Sequence, residues 1–238
     1  MKSIAVRGLL AIAFAASILL STASPSHAAG VWHGVVGGDN PNIRSGPSTA
    51  DPVVGTLESG QAVDVINWVE GERVDGVVDT WAEIAPGEYV YGNMLGKDKP
   101  SAPPAAPETF SGHWIDVNLT QQVITAYNGD TPAYWAVMSS GAPGWETPAG
   151  TFNVERRVAN ETMTSNSLAV SVPVPYDLTN VLWTQYFTPY GNALHDNYWK
   201  DPATFGVPTS HGCVGMLEPD AHFFWNWAGL GTVVNIHY

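Results

Sequence analysis

The sequence holds one cysteine, few basic residues and no apolar run long enough to span a bilayer. Lys and Arg total 9 against 22 Asp and Glu, so the formal net charge is −13. This acidity argues against a nucleic-acid partner, because phosphates are bound by Lys and Arg. It also provides no electrostatic attraction to anionic lipids or wall polymers. No internal disulfide is possible, so the thiol of Cys213 is either free or paired between chains.

The longest apolar run lies near the start of the chain, at residues 9–20. It is too short for a membrane-spanning helix. Lys2 and Arg7 precede it, and residues 26–28 (Ser-His-Ala) fit a small-x-small cleavage site. These features predict a secretory signal peptide over residues 1–28, with a membrane anchor as the alternative. We expect a secreted protein that has no membrane attachment after cleavage.

The composition favours a mainly β protein with two domains. Gly (24) and Pro (18) are frequent, and the hydrophobic share of 45% is that of an ordinary globular chain. Residues 99–109 are rich in Pro, Ala and Ser, which predicts an extended, semi-rigid linker with few contacts between the domains. The domains are then expected at residues 30–98 and 110–238.

In the first domain, short apolar segments alternate as strands at residues 53–57, 62–66 and 81–84. The segment 42–48 (Asn-Ile-Arg-Ser-Gly-Pro-Ser) precedes them, and Gly-Thr-Leu and Gly-Gln-Ala-Val follow at 55–57 and 60–63. This order resembles bacterial SH3 domains, small β-barrels that often bind cell wall. Residues 71–80 depart from the usual short turn, so the domain is expected either to bind wall or to act as a spacer.

In the second domain, periodicity predicts strands at residues 113–117, 123–127, 133–139, 151–157, 169–174, 181–187 and 232–238. Asn128-Gly129 is a strong hairpin signal. One helix is predicted at residues 218–228, with Pro219 in its first turn and Gly229 beyond its end.

The candidate catalytic residues lie at 210–213, Ser-His-Gly-Cys, and at His195, eighteen residues before Cys213. A thiol attacks as thiolate, and an imidazole within hydrogen-bond reach generates that form near neutral pH. Gly212 allows a substrate to approach the backbone closely. The alternative interpretation is that Cys213 is a small buried hydrophobic residue.

These residues resemble the signature of the L,D-transpeptidases of the YkuD type, bacterial enzymes that cross-link peptidoglycan. The segment 186–195 around His195 and the Thr-Pro-Ala-Gly-Thr-Phe element at 147–152 agree with it. The resemblance covers roughly residues 110–238. It implies a β-sandwich or barrel catalytic domain with one or two short helices, following the small SH3-like β-barrel.

The resemblance implies that Cys213 is the nucleophile and His195 the general base and acid. In the family, the third member of the catalytic triad is the backbone carbonyl of the residue after the histidine, which accepts a hydrogen bond from the imidazole. Here that residue is Asp196, and the alternative is that its side-chain carboxylate accepts this bond. The N–H groups of Gly212 and Cys213 are candidates for stabilising the oxyanion. Ser210 either binds substrate or closes a turn.

Around these residues, His211 is expected to line the site or to be structural. Tyr186 and Tyr190 are expected in the donor groove or in the core. The family usually has Arg or Asn where this chain has Gly215, and an Arg there would either order the loop or hold a carboxylate bidentately. This departure is expected to affect substrate affinity or activity itself.

The implied substrate is a peptidoglycan stem tetrapeptide, cut before its terminal D-Ala, with an amine of another stem as acceptor. Water in place of the amine would make the protein an L,D-carboxypeptidase, and a carbapenem would be a covalent inhibitor. No metal or cofactor is needed, and no ligand spacing is visible for the other histidines, His33, His113, His222 and His237.

Two other functions compete with this one. An NlpC-type peptidase also pairs SH3-like domains with a cysteine and a histidine, but there the cysteine comes first in the chain. A non-enzymatic wall-binding protein with a relic site is the second, and Gly215 is its only support.

Overall fold

The computed structural model describes residues 31–37, 39–74, 79–165 and 175–238, and in those ranges the chain forms seventeen β-strands and one α-helix. Within them no helix is both long and apolar enough to cross a membrane. The predicted signal peptide (1–28) and the predicted strand at 169–174 lie outside the described residues. The expectation of a mainly β protein is confirmed.

The N-terminal half contains eight strands: β1 (Trp32–Val36), β2 (Asn42–Arg44), β3 (Val53–Thr56), β4 (Ala62–Val65), β5 (Asn67–Glu70), β6 (Thr80–Ala85), β7 (Glu88–Tyr91) and β8 (Leu95–Gly96). They form two sheets, ordered β4-β1-β8 and β3-β2-β7-β6-β5. The inner faces of both sheets share one apolar cluster built around Trp32, Val65 and Val90. The expected closed barrel is wrong for the described residues, because the chain bends at Ile66 and passes from one sheet to the other.

The C-terminal half contains β9 (His113–Asn118), β10 (Val123–Asn128), β11 (Thr131–Val137), β12 (Gly150–Asn153), β13 (Arg156–Thr164), β14 (Asp177–Tyr186), β15 (Ala193–Asp196), β16 (Val214–Met216), α1 (Glu218–Trp227) and β17 (Val233–His237). Two open sheets, β11-β10-β9-β17-β12 and β13-β14-β15-β16, share a core with α1. The helix carries Pro219 and two acidic residues in its first turn, which suits the positive end of the helix dipole.

The predicted strand at 151–157 is two strands. Val154 and Glu155 separate β12 from β13. The Val154 side chain is buried in the core, and its N–H donates to the carbonyl of Thr232. Because these two residues lie outside both strands, β12 joins one sheet and β13 the other. The break therefore links the two sheets that enclose the core of the C-terminal half.

The two halves are in close contact, so the expectation of few contacts is wrong. Val207, from the loop before residues 210–213, is fully buried in the N-terminal cluster. Trp32 Nε1 donates to the Gly206 carbonyl (2.7 Å), and Thr80 Oγ1 donates to the Pro208 carbonyl (2.8 Å). The loop at 203–208 is thus held by the N-terminal sheets.

The Pro-rich segment at 99–109 also lies against the C-terminal half. Trp135 Nε1 donates to the Pro100 carbonyl (2.8 Å), and the Lys99 ammonium lies 4.4 Å from the Tyr134 ring centroid. Aromatic side chains of β11 therefore pack against a segment that composition alone suggested to be a free spacer.

Candidate active site

Strands β15 and β16 pair in parallel, so that His195 lies beside Gly215, two residues after Cys213. Leu194 pairs with Val214 and His195 with Gly215. Leu194 and Val214 are fully buried in the core. Because side chains alternate along a strand, His195 and Gly215 point to the opposite face, and Cys213, two residues before Gly215, begins on that face too.

His195 is almost fully buried, and its ring is held by backbone. Nδ1 lies 2.5 Å from the Asp196 carbonyl oxygen, which can only accept, so Nδ1 carries the proton and Nε2 is the free base nitrogen. The Asp196 carboxylate turns away and accepts from the Leu182 N–H (2.5 Å). Of the two alternatives raised by the sequence, the carbonyl therefore makes the contact. Burial lowers the pKa of His195, and the bond to Asp196 opposes this shift.

The surroundings of Cys213 favour its protonated thiol. Its Sγ donates to the Gly191 carbonyl oxygen at 3.6 Å. Burial raises the pKa of Cys213 to about 11, a backbone hydrogen bond from Ala193 opposes the rise, and the charge of Glu161 adds to it. Both shifts favour the neutral thiol of Cys213 and the neutral imidazole of His195. The sequence-based prediction that His195 generates the thiolate stays a prediction.

Ser210 closes the turn that presents Cys213. Its Oγ accepts from the Gly212 N–H (3.1 Å) and donates to the Cys213 carbonyl (2.6 Å). Gly212 has φ +104°, and a Cβ there would lie 2.6 Å from Asn192 Nδ2, so only glycine fits. The Gly212 N–H, a candidate oxyanion donor, is thus engaged by Ser210 in this structure.

His211 lies among aromatic side chains at the rim. Its ring is 4.9 Å from Trp145, edge to face, and 5.4 Å from Tyr176. Burial lowers the pKa of His211, the charge of Asp79 opposes this shift, and Arg73 adds to it. Those two residues belong to the N-terminal half, so both halves act on this part of the site.

The two tyrosines have different surroundings. The Tyr186 hydroxyl donates to Glu161 (3.0 Å), the Arg156 guanidinium lies 3.6 Å from its ring centroid, and burial raises its pKa to about 12. Tyr190 is 78% exposed, on the turn before Gly191. Tyr186 is therefore fixed beside Glu161, whose charge acts on Cys213, whereas Tyr190 projects from the surface.

Sequence reasoning missed three residues of the site. Asn192 Nδ2 donates to the Gly212 carbonyl (3.1 Å) and so supports the turn before Cys213. Trp145 and Tyr176 flank His211. Trp145, an aromatic residue inside the Gly- and Pro-rich loop at 141–150, was the one available signal, because loops carry binding residues more often than the elements they connect.

Comparison with known proteins shows which family the chain belongs to. The model of the YkuD L,D-transpeptidase catalytic domain matches residues 112–236, more than half of the chain. The chain belongs to this L,D-transpeptidase family. The match includes His195 and the whole of residues 210–213, so the family resemblance seen in the sequence is confirmed for the C-terminal half. The SH3-like resemblance of residues 30–98 stays a prediction.

Similar proteins come from mycobacteria among others. The probable L,D-transpeptidase 3 of Mycobacterium tuberculosis is 24% identical over 184 residues, covering 70% of this chain and 66% of that protein. The structure of the LD transpeptidase LdtMt1 in complex with imipenem aligns with TM-score 0.50 and 15% identity, covering 74% of this chain and 90% of that one. The crystal structure of L,D-transpeptidase 3 from M. tuberculosis aligns with TM-score 0.49 and 17% identity, covering 89% and 83%. This chain thus spans just under two thirds of the curated relative's length.

Proposed function

We propose that this chain is a peptidoglycan L,D-transpeptidase that forms a thioester on Cys213. The observation that carries the proposal is the parallel pairing of β15 and β16, with His195 Nδ1 bonded to the Asp196 carbonyl. This arrangement leaves Nε2 free to take a proton on the face where Cys213 begins. Membership of the L,D-transpeptidase family supports the substrate class.

In the acylation step, His195 Nε2 takes the proton of the Cys213 thiol as sulfur attacks the carbonyl carbon before the terminal D-Ala. The C–S bond forms and the carbonyl becomes a tetrahedral oxyanion, which the Cys213 amide would stabilise. The Gly212 amide would join it by exchanging its bond to Ser210 Oγ for one to the oxyanion. The imidazolium then gives its proton to the D-Ala nitrogen as the C–N bond breaks. Free D-Ala leaves, and the acyl group remains as a thioester.

In the second step, the amine of another stem attacks the thioester carbon. His195 takes a proton from this amine, the new amide forms, and the proton returns to sulfur as the C–S bond breaks. The neutral thiol and neutral imidazole described above are then regenerated. If water attacks instead, the product is a shortened stem and the protein is an L,D-carboxypeptidase.

The test is release of D-Ala from a purified stem tetrapeptide, with Cys213→Ser as the matched control. We expect release by the wild-type protein and none by the variant, since an alkoxide is far harder to generate than a thiolate. Adding a second stem with a free amine separates the two activities, because only a transpeptidase makes the cross-linked dimer. No release under any condition would favour the non-enzymatic wall-binding alternative.

For the remaining regions we propose a signal peptide at 1–28, an SH3-like wall-binding domain at 30–98, a linker at 99–109 and the catalytic domain at 110–238, in a protein exported to the bacterial cell wall. Two open sheets around one apolar cluster are compatible with an SH3-like domain. A sacculus pull-down tests the binding role: a variant mutated in the exposed face of this domain should be retained less than the wild type. Equal retention would leave the domain a structural role.

We also propose carbapenems as covalent inhibitors. One structural neighbour is an LD transpeptidase in complex with imipenem. A thiol beside an oxyanion site opens a strained β-lactam by the same acylation step: the C–S bond forms, the lactam C–N bond breaks and His195 gives its proton to the nitrogen. The freed amine stays tethered to the acyl group through the other ring atoms, so no fragment is lost.

A further inference from the structure

Gly215 lies between two strands, and the space above it is taken by another side chain. It pairs with His195 on β15, and on its other side it forms a β-bridge with Ser139. A Cβ built on Gly215 would lie 2.8 Å from Asn197 Nδ2, 3.1 Å from its Cβ and 3.3 Å from its Cγ. Real Cβ atoms essentially never approach another heavy atom within 3.0 Å. The amide of Asn197 thus occupies the volume that a side chain at position 215 would need.

Asn197 also belongs to the peptide unit that orients the base. Its N–H donates to the Met216 carbonyl (2.8 Å). The carbonyl of the same planar unit is that of Asp196, which accepts from His195 Nδ1 (2.5 Å). Because the unit is rigid, a rotation that weakens one of these bonds moves the other group as well. The placement of residue 197 therefore bears directly on His195.

The amide is held there by packing. Asn197 is 6% exposed, and its Oδ1 is buried without a hydrogen-bond partner among the described residues. The hydroxyl of Ser139, fully buried across from Gly215, is also unpartnered in the described part of the chain. Buried polar atoms normally have partners, and exceptions mark sites where another requirement dominates. Both unpartnered atoms belong to residues that adjoin Gly215, where the close contact with Asn197 is the geometric feature that stands out.

We propose that Asn197 is a positioning residue matched to Gly215: seated over the glycine, it holds the Asp196–Asn197 peptide at the angle that keeps His195 protonated on Nδ1. The absence of a side chain at 215 is then part of the site rather than a defect in it. The effect on catalysis rests on the proposed function, whereas the effect on the His195 tautomer does not.

The first test is the tautomer itself, measured by ¹⁵N–¹H NMR of the histidine rings above the His195 pKa. In the wild type, His195 should be the Nδ1–H tautomer. In Gly215→Ala, the added methyl displaces Asn197, and His195 should become a mixture of tautomers. Gly229→Ala is the matched control, because a Cβ there meets nothing within 4 Å, and it should leave the His195 signals unchanged.

The second test is a double-mutant cycle on D-Ala release, using Gly215→Ala, Asn197→Gly and the double variant. With Asn197 present, adding the methyl should lower kcat with little change in KM, by about a hundredfold, the usual scale of misplacing a catalytic group. In the Asn197→Gly background the methyl has room, so its further cost should stay within about twofold. A purely additive cycle would overturn the proposed match.

Two further outcomes are decisive. If Gly215→Ala does not fold, the His195 tautomer is measured in Asn197→Ala instead, because this variant removes the side-chain amide without creating a steric overlap. A pure Nδ1–H tautomer of His195 in Asn197→Ala would overturn the proposal. If the wild type releases no D-Ala, the proposed function fails on its own, and the NMR result still decides the role of Asn197.

Discussion

Replacing Val207 with alanine should destabilise the protein through the contact between its two halves. Val207 is fully buried in the N-terminal apolar cluster although it belongs to the loop before residues 210–213. The substitution removes two carbon atoms, which at about 0.8 kcal/mol each costs about 1.6 kcal/mol of transfer free energy. The cavity adds to this, so the free energy of unfolding should fall by about 2–3 kcal/mol.

Urea unfolding followed by tryptophan fluorescence measures this loss. Val53→Ala is the control, because Val53 is 51% exposed on β3, and its effect should stay within about 0.5 kcal/mol. D-Ala release by Val207→Ala should also slow, by about tenfold, since the loop leads into the turn that presents Cys213. Equal midpoints for the two variants would refute the idea that the N-terminal sheets support the active-site loop.

Other predictions concern the chemistry. His195→Ala should lower the rate of D-Ala release by at least about a hundredfold, the usual scale of a general base, and His211→Ala by less; steady-state kinetics that show the larger loss at His211 would reverse the assignment. The pKa of Cys213 is raised to about 11, so alkylation by iodoacetamide should still accelerate above about pH 9; a plateau below about pH 8 would indicate a thiolate–imidazolium pair instead. The pKa of His195 is lowered from 6.5, so the base is lost only as the pH falls through that lowered value, and kcat/KM should hold down to below pH 6.5; a decline that begins at higher pH would contradict a buried, neutral imidazole. A carbapenem should add its full mass to Cys213, not at all in Cys213→Ser and more slowly in His195→Ala; an unmodified wild type whose thiol still reacts with iodoacetamide would indicate a relic site.

The sequence singled out the proposed reactive residues more readily than the elements that carry them. Residue type and the family resemblance pointed to Cys213 and His195, because a nucleophile and its base must be particular residues. The strands that position them, β15 and β16, are short and buried throughout. They therefore show no alternation of apolar and polar residues that a periodicity argument can detect.

Contacts between distant segments were beyond the reach of the sequence. The Pro-rich composition of residues 99–109 suggested an independent spacer, yet Pro100 accepts a hydrogen bond from Trp135. Val207 gave no sign that it would join the N-terminal cluster, because a lone valine in a loop fits many environments. Gly215 was interpreted only as a missing side chain, since the asparagine that fills its space is eighteen positions away.

Intact-protein mass spectrometry of the wild type, mixed with a stem tetrapeptide and no acceptor amine, tests the central claim most directly. We predict that D-Ala is released and that the protein gains the mass of the remaining tripeptide acyl group, mapped to Cys213. Release of D-Ala with the acyl group on another residue, or with Cys213→Ser as active as the wild type, would contradict the account.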